Sequence, residues 1–204
     1  MIERDKQREY EAKFATMNVV LFGLPGCGKT TLIEGLVTKP NYLSLGVITR
    51  QEVAQNGPMA EDIKAKFANS NPWNPDFVVD IIAPHIFEAQ RMSLGFVLDG
   101  VPRNKSEAES LIAKVIRKGI HVDILLHLQV SEAIALQRIA QRDNSGRLET
   151  SEHYQQRIRK YLAEEDEILN LMKDISDYYL SIDTVQNPDI IVRQKLLKFV
   201  GKHF

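Results

Sequence analysis

The chain predicts an α/β fold in which helices wrap a parallel sheet. Three observations lead there. Short apolar runs alternate with longer helical stretches, the pattern of parallel strands joined by crossover helices. The first run, 18–22, is β-branched and apolar, and it passes through a glycine-rich turn into a helical stretch. The run Phe96-Val97-Leu98 stops abruptly at Asp99-Gly100, and parallel sheets commonly carry ligand-binding groups where their strands end.

Taken in order, strands are expected at 18–22, 42–45, 96–98, 124–128 and 178–182. Helices are expected at about 29–37, 105–118, 131–142, 152–172 and 188–204. Residues 46–90 read as mostly helical, broken by Asn56-Gly57-Pro58 and Ser70-Asn71-Pro72. Pro75-Asp76 marks a helix start, since proline suits the first turn and an acid suits the N-terminal dipole. Pro84 is expected to kink or interrupt that helix.

With 204 residues, 44% hydrophobic and 26% charged, the chain supports one well-buried core. A net charge of −1 gives no generic attraction to nucleic acid or to an anionic membrane. No stretch approaches the ~20 apolar residues that span a bilayer. The single cysteine, Cys27, excludes an internal disulfide and a multi-cysteine zinc site, and fits a reducing compartment. Residues 1–16 mix Glu3, Asp5, Glu9 and Glu11 with Arg4, Lys6, Arg8 and Lys13, unlike a secretory signal or a transit peptide. They are expected as a charged extension, helical or disordered, ahead of a single domain at 17–204, and the cytoplasm is the expected compartment.

Gly23-Leu24-Pro25-Gly26-Cys27-Gly28-Lys29-Thr30 matches G-x-x-x-x-G-K-[ST] in full, between a strand and a helix. The glycines let the backbone curl so that its N–H groups surround a polyphosphate, and Lys29 and the helix N-terminus add positive charge. Pro25, Gly26, Cys27, Gly28, Lys29, Thr30 and Thr31 are the expected ATP-binding residues of this loop, with the Thr30 hydroxyl toward Mg²⁺. Such a loop specifies a nucleotide's phosphates; it does not specify a reaction.

Further segments resemble the adenylate kinase family. The loop shares that family's proline and glycine positions, and Asp99-Gly100-Val101-Pro102-Arg103 resembles its Asp-Gly-Phe-Pro-Arg. Ser44-Leu45-Gly46-Val47-Ile48-Thr49-Arg50 is similar to Ser-Thr-Gly-Asp-x-x-Arg, and Arg138-Ile139-Ala140-Gln141-Arg142 to the paired arginines on the ATP side. Ser145-Gly146-Arg147 and Arg157-Ile158-Arg159-Lys160-Tyr161 resemble the short lid and its return helix. The resemblance, running from about 17 to 183, implies a P-loop fold of three layers with a parallel five-stranded sheet. It also implies a helical NMP-binding insert at about 43–73 and a short lid at about 143–151. It implies a nucleoside-monophosphate kinase using Mg²⁺ as Mg-ATP, without zinc, with ATP and a nucleoside monophosphate (AMP or a related one) as partners, and a monomer.

The chemistry asks for oriented positive charge rather than a general base, because the acceptor is a phosphate oxygen already ionised near neutral pH. By resemblance Arg50 and Arg103 hold the acceptor phosphate, while Leu45, Gly100 and Glu107 complete the acceptor site. Lys29, Arg142, Arg147 and Arg157 surround the transferring group, and Arg138 stacks on the donor adenine. Asp99 is either a partner of the hydrated Mg²⁺ or the N-cap of the next helix.

Departures from the family pattern set the alternatives. Val47 stands where an aspartate is usual, and Arg147-Leu148-Glu149-Thr150 replaces Arg-x-Asp-Asp, with Arg147 to Arg157 one residue closer than usual. Leu45 replaces a threonine and alters the base pocket. Glu107 replaces the glutamine that reads the acceptor base: a carboxylate only accepts, which suits guanine's two donors better than adenine. Either Glu107 turns the preference toward GMP or IMP, or it is solvent-facing and paired with Arg103. A kinase for another small acceptor, and a nucleotide-binding regulatory module without turnover, stay open beside the AMP reading. Cys27 reads as a packed small residue or as a redox-sensitive thiol protected by ATP.

Overall fold

The computed structural model describes residues 2–36, 38, 41–68, 73–141, 151–185 and 188–204. Its centre is a five-stranded, all-parallel sheet: β1 (Asn18–Phe22), β2 (Tyr42–Ser44), β3 (Phe96–Asp99), β4 (Val122–Gln129) and β5 (Ser176–Asp183). The strand order is β2-β3-β1-β4-β5. Because the chain turns to one side of β1 for β2 and β3 and to the other for β4 and β5, the order reverses at β1. In open parallel sheets the ligand crevice lies beyond the strand ends at such a reversal. The phosphate loop leaves β1 at that point.

Every residue of β1 and β3 is buried, as expected for strands covered on both faces. The helices are α1 (Arg4–Ala15), α2 (Lys29–Glu34), α3 (Leu45–Ala54), α4 (Ala60–Ala68), α5 (Pro75–Arg91), α6 (Lys105–Lys114), α7 (Glu132–Ala140), α8 (Ser151–Lys173) and α9 (Arg193–His203). One group, α5, α6 and α8, packs together; α9 packs against α1, and the π-helical turn Pro188–Val192 joins α9 to α2. The segment expected as the acceptor insert contains α3 and α4, which pack on each other. The segment expected as the lid, with Arg142 and Arg147, lies outside the described residues apart from Ser151, which opens α8.

Three expectations are corrected. Pro84 does not interrupt α5, which runs unbroken from Pro75 to Arg91. Pro84 and Asp80, whose carbonyl loses its helical donor, both sit on the exposed face, where solvent is within reach of the freed carbonyl. The helix expected across 105–118 ends at Lys114 because Val115 leaves helical geometry (φ −121°), and a 3₁₀ turn, Ile116–Lys118, continues to Gly119 at φ 96°. The N-terminal segment is helical, but it is no solvated extension. Phe14 is fully buried in the core, and buried Glu11 accepts the Thr38 backbone N–H at 3.0 Å. An amphipathic stripe this sparse is hidden by the charges around it.

Replacing Phe14 with alanine should therefore lower unfolding stability by about 3–5 kcal/mol, as for other buried aromatics. The denaturant midpoint reads this, and an unchanged midpoint would mean that α1 does not dock.

Candidate functional site

The phosphate loop is held where side chains do not fit. Gly23 has φ 141°, and a Cβ there would meet the Leu128 carbonyl oxygen at 2.4 Å. Gly26 has φ 88°, and a Cβ there would meet the Ala135 carbonyl oxygen at 2.6 Å. The loop thus rests directly on the backbone of the end of β4 and of α7. Gly28, at φ 99°, is the N-cap residue of α2. Cys27 is fully buried, which agrees with the packed reading of this residue. Lys29 folds back over the loop, its ammonium donating to the Gly23 carbonyl at 2.7 Å and the Leu24 carbonyl at 3.0 Å. Pro25 and Thr31 are half-buried in the loop and first turn, and Thr30 is exposed.

Beside the loop, Asp99 closes β3 and is 8% exposed. One carboxylate oxygen, Oδ2, accepts from the Tyr42 hydroxyl at 2.5 Å. The other, Oδ1, is buried and has no hydrogen-bond partner among the described residues. Burial, with the neighbouring Asp99 charge, pushes the Tyr42 phenol far above its ordinary value. Asp99 is not the N-cap of α6. Asn104 is, accepting the Glu107 N–H at 2.9 Å. An orphaned carboxylate oxygen near an exposed hydroxyl is a donor set that suits a hard divalent cation such as Mg²⁺.

On the acceptor side the chain leaves β3 through Gly100 at φ 83°, with the Leu45 side chain 3.7 Å from where a Cβ would stand. Arg50 is exposed on α3 with its guanidinium near Gly46. Arg103 and Glu107 form a tight pair: Glu107 Oε2 accepts the Arg103 backbone N–H at 2.8 Å, and Oε1 accepts from the guanidinium at 3.1 Å. Glu107 is 2% exposed, so it is paired with Arg103 as one alternative held, but buried rather than solvent-facing. The Arg103 guanidinium lies 5.9 Å from the Trp73 ring centre.

On the donor side Arg138, on α7, donates to the Thr184 carbonyl at 2.6 Å and to the Gly26 carbonyl at 3.5 Å. Its guanidinium is fixed between the loop and the segment after β5. Arg157 is half-buried on α8, with its guanidinium 5.8 Å from the Tyr154 ring centre. The structure thus gathers Lys29, Thr30, Asp99 and Arg138 at the loop and Leu45, Gly100, Arg103 and Glu107 beyond it.

This arrangement has a family. The adenylate kinase model matches residues 21–177. The chain belongs to the adenylate kinase family. It is 28% identical to an adenylate kinase of Bacteroides thetaiotaomicron over 79% of this chain and 87% of that one. It is 31% identical to an adenylate kinase of Bacteroides fragilis over 67% and 73%. Against an adenylate kinase of Methylorubrum extorquens the identity is 36% over 62% of this chain and 64% of the relative. As a member it is a nucleoside-monophosphate kinase, a phosphotransferase that binds nucleotide through its phosphate loop.

Two groups of polar residues were not anticipated. Tyr42 sits in a short strand, where an aromatic reads as ordinary strand composition. The second group lies behind the loop: His127, at the end of β4 and 2% exposed, meets Glu165 of α8 at 3.1 Å and the Tyr179 hydroxyl at 3.0 Å. Its ring packs on Phe22 at 5.4 Å, and Tyr161 packs on the same phenylalanine at 4.8 Å. Hydrogen bonding with His127 holds the Glu165 carboxyl below its ordinary range. Burial, then the Glu165 charge, pushes the Tyr161 phenol up. A histidine in an apolar strand was the available signal, but its acidic partner lies 38 residues on and only folding joins them.

The Glu165 shift fixes a sign. A carboxyl depressed in the folded state adds stability that is fully present above its unfolded value and is lost as pH falls through the folded one. Wild type should therefore be more stable than Glu165→Gln near neutrality, with the gap closing as pH falls below about 4.5. Denaturant midpoints of both proteins across pH 3–7 measure this; a gap constant with pH contradicts it.

Proposed function

We propose that the chain transfers the γ-phosphoryl group of Mg-ATP to AMP. The observation that carries this reading is the line of groups across the ends of β1, β2 and β3. Lys29 and the loop stand at one end, Asp99 in the middle, and Arg103 with Leu45 and Gly100 at the other. A donor polyphosphate and an acceptor phosphate need that order.

The loop N–H groups and Lys29 bind the donor phosphates, so Lys29 must exchange the loop carbonyls for phosphate oxygens. Arg103 presents its fork to the acceptor phosphate, oriented from behind by Glu107, and Arg50 supplies a second fork. Arg138 offers a fixed guanidinium face to the adenine. Arg157, with Arg142 and Arg147 from outside the described residues, completes the charge around the transferring group and excludes water on closure. Mg²⁺ would be held by the Thr30 hydroxyl with Asp99 facing its water shell, and when bound it neutralises charge on the β- and γ-phosphates. No side chain needs to accept a proton. The reading includes a monomer in the cytoplasm that uses no zinc; among the described residues no helix is long and apolar enough to cross a membrane.

A second acceptor reading has one observation in its favour. Glu107 is a buried carboxylate, which accepts hydrogen bonds only, and guanine presents two donors along the edge it would meet. Its oxygens are already engaged by Arg103, which weakens this reading relative to AMP.

ADP formation from Mg-ATP with AMP, GMP, IMP, CMP or UMP supplied separately should be fastest with AMP. GMP or IMP ahead of AMP would transfer the acceptor assignment to the Glu107 argument. Lys29→Met should cost at least ~10²–10³ in rate, the scale of removing one preorganised donor. Turnover by neither protein, with ATP still bound, would leave a regulatory module instead.

A further inference from the structure

Where the family resemblance leads one to expect a second carboxylate near the metal, this chain has Val47, which is 37% exposed on α3 and offers no polar atom. Asp99 is left as the acid of this part of the cleft among the groups described above. A single carboxylate on one strand end has a broad, roughly two-fold terminal torsion, so either oxygen can turn toward a ligand. At 8% exposure water has little room to hold it. Something else has to set its orientation.

We propose that Tyr42 is a positioning residue for the divalent cation: its hydroxyl occupies one oxygen of Asp99, reserving the other for the cation's hydration shell. The geometry makes it specific. Tyr42 opens β2, whose Ser44 lies directly opposite Asp99 in the β2–β3 ladder, so the phenol reaches along the strand to the carboxylate from the acceptor side. One side chain therefore ties β2 to the end of β3. The unpartnered Asp99 Oδ1 is the acceptor this arrangement leaves over.

This inference rests on reading Asp99 and Thr30 as neighbours of the metal, and the test separates the two. ATP binding to the full chain is measured calorimetrically in EDTA and across a Mg²⁺ titration, for wild type, Tyr42→Phe, Asp99→Asn and the double variant. Tyr42→Phe should raise the Mg²⁺ concentration that half-maximally enhances ATP binding by about tenfold, the lower end for loss of a group that orients a metal's partner. ATP affinity in EDTA should stay as in wild type, and Tyr42→Phe should add nothing in the Asp99→Asn background. Equal weakening with and without Mg²⁺, or an unmoved Mg²⁺ midpoint with only a lowered melting temperature, would make Tyr42 a structural residue and overturn the proposal. Should Tyr42→Phe not fold, Tyr42→His keeps a ring N–H donor and should retain a midpoint nearer wild type than Tyr42→Leu; equal midpoints for these two overturn it as well. Wild type without any Mg²⁺ enhancement would instead remove the metal reading beneath it.

Discussion

The site depends on two backbone approaches too close for a side chain. Gly23 lies against the Leu128 carbonyl and Gly26 against Ala135, each in a left-handed region that a Cβ disfavours. These contacts seat the phosphate loop on β4 and α7. The groups proposed above to face the donor phosphates and the adenine take their position from there: the start of α2, Lys29 above the loop, and Arg138, whose guanidinium is tied to the same Gly26. The strand order supplies the rest, since the reversal at β1 opens the crevice and puts Asp99 one strand away.

Charge in this cleft is organised in pairs and backbone bonds rather than left free. Lys29 is bonded to loop carbonyls, Arg138 to Thr184, and Arg103 to a buried Glu107. The guanidinium groups of Arg103 and Arg138, held this way, have little further freedom to lose when a ligand arrives, whereas Lys29 must first leave its loop carbonyls. Beneath them the His127–Glu165 pair joins β4 to α8, the helix that follows the segment expected to close over the donor. The loop is therefore braced from behind by a polar contact as well as by Phe22 and Tyr161 packing.

What could be read from the sequence was what is local. The phosphate loop is eight consecutive residues with defined flanks, and β1 and β3 are mostly apolar because both faces are covered. What could not be read is set by register and tertiary packing. β5 begins two residues before the expected start because its edge residues alternate between half-buried and exposed, which blurs an apolar run. Of the two readings of Glu107, the one that paired it with Arg103 had it solvent-facing; the pair forms, but folding buries the carboxylate. The Tyr42–Asp99 bond crosses 57 positions and depends on which strand lies beside β3, so no spacing in the chain announces it. Phe14 is one of two aromatics, with Tyr10, in a charged helix, and its burial depends on tertiary packing, including that of α9 against α1.

The claim that the glycine contacts seat the phosphate site is tested most directly by Gly26→Ala, with ATP binding measured calorimetrically and helix content followed by circular dichroism. The account predicts at least a tenfold loss of ATP affinity, about 1.4 kcal/mol, with helix content unchanged, because the strain falls on the loop. ATP affinity equal to wild type in a folded variant would contradict it.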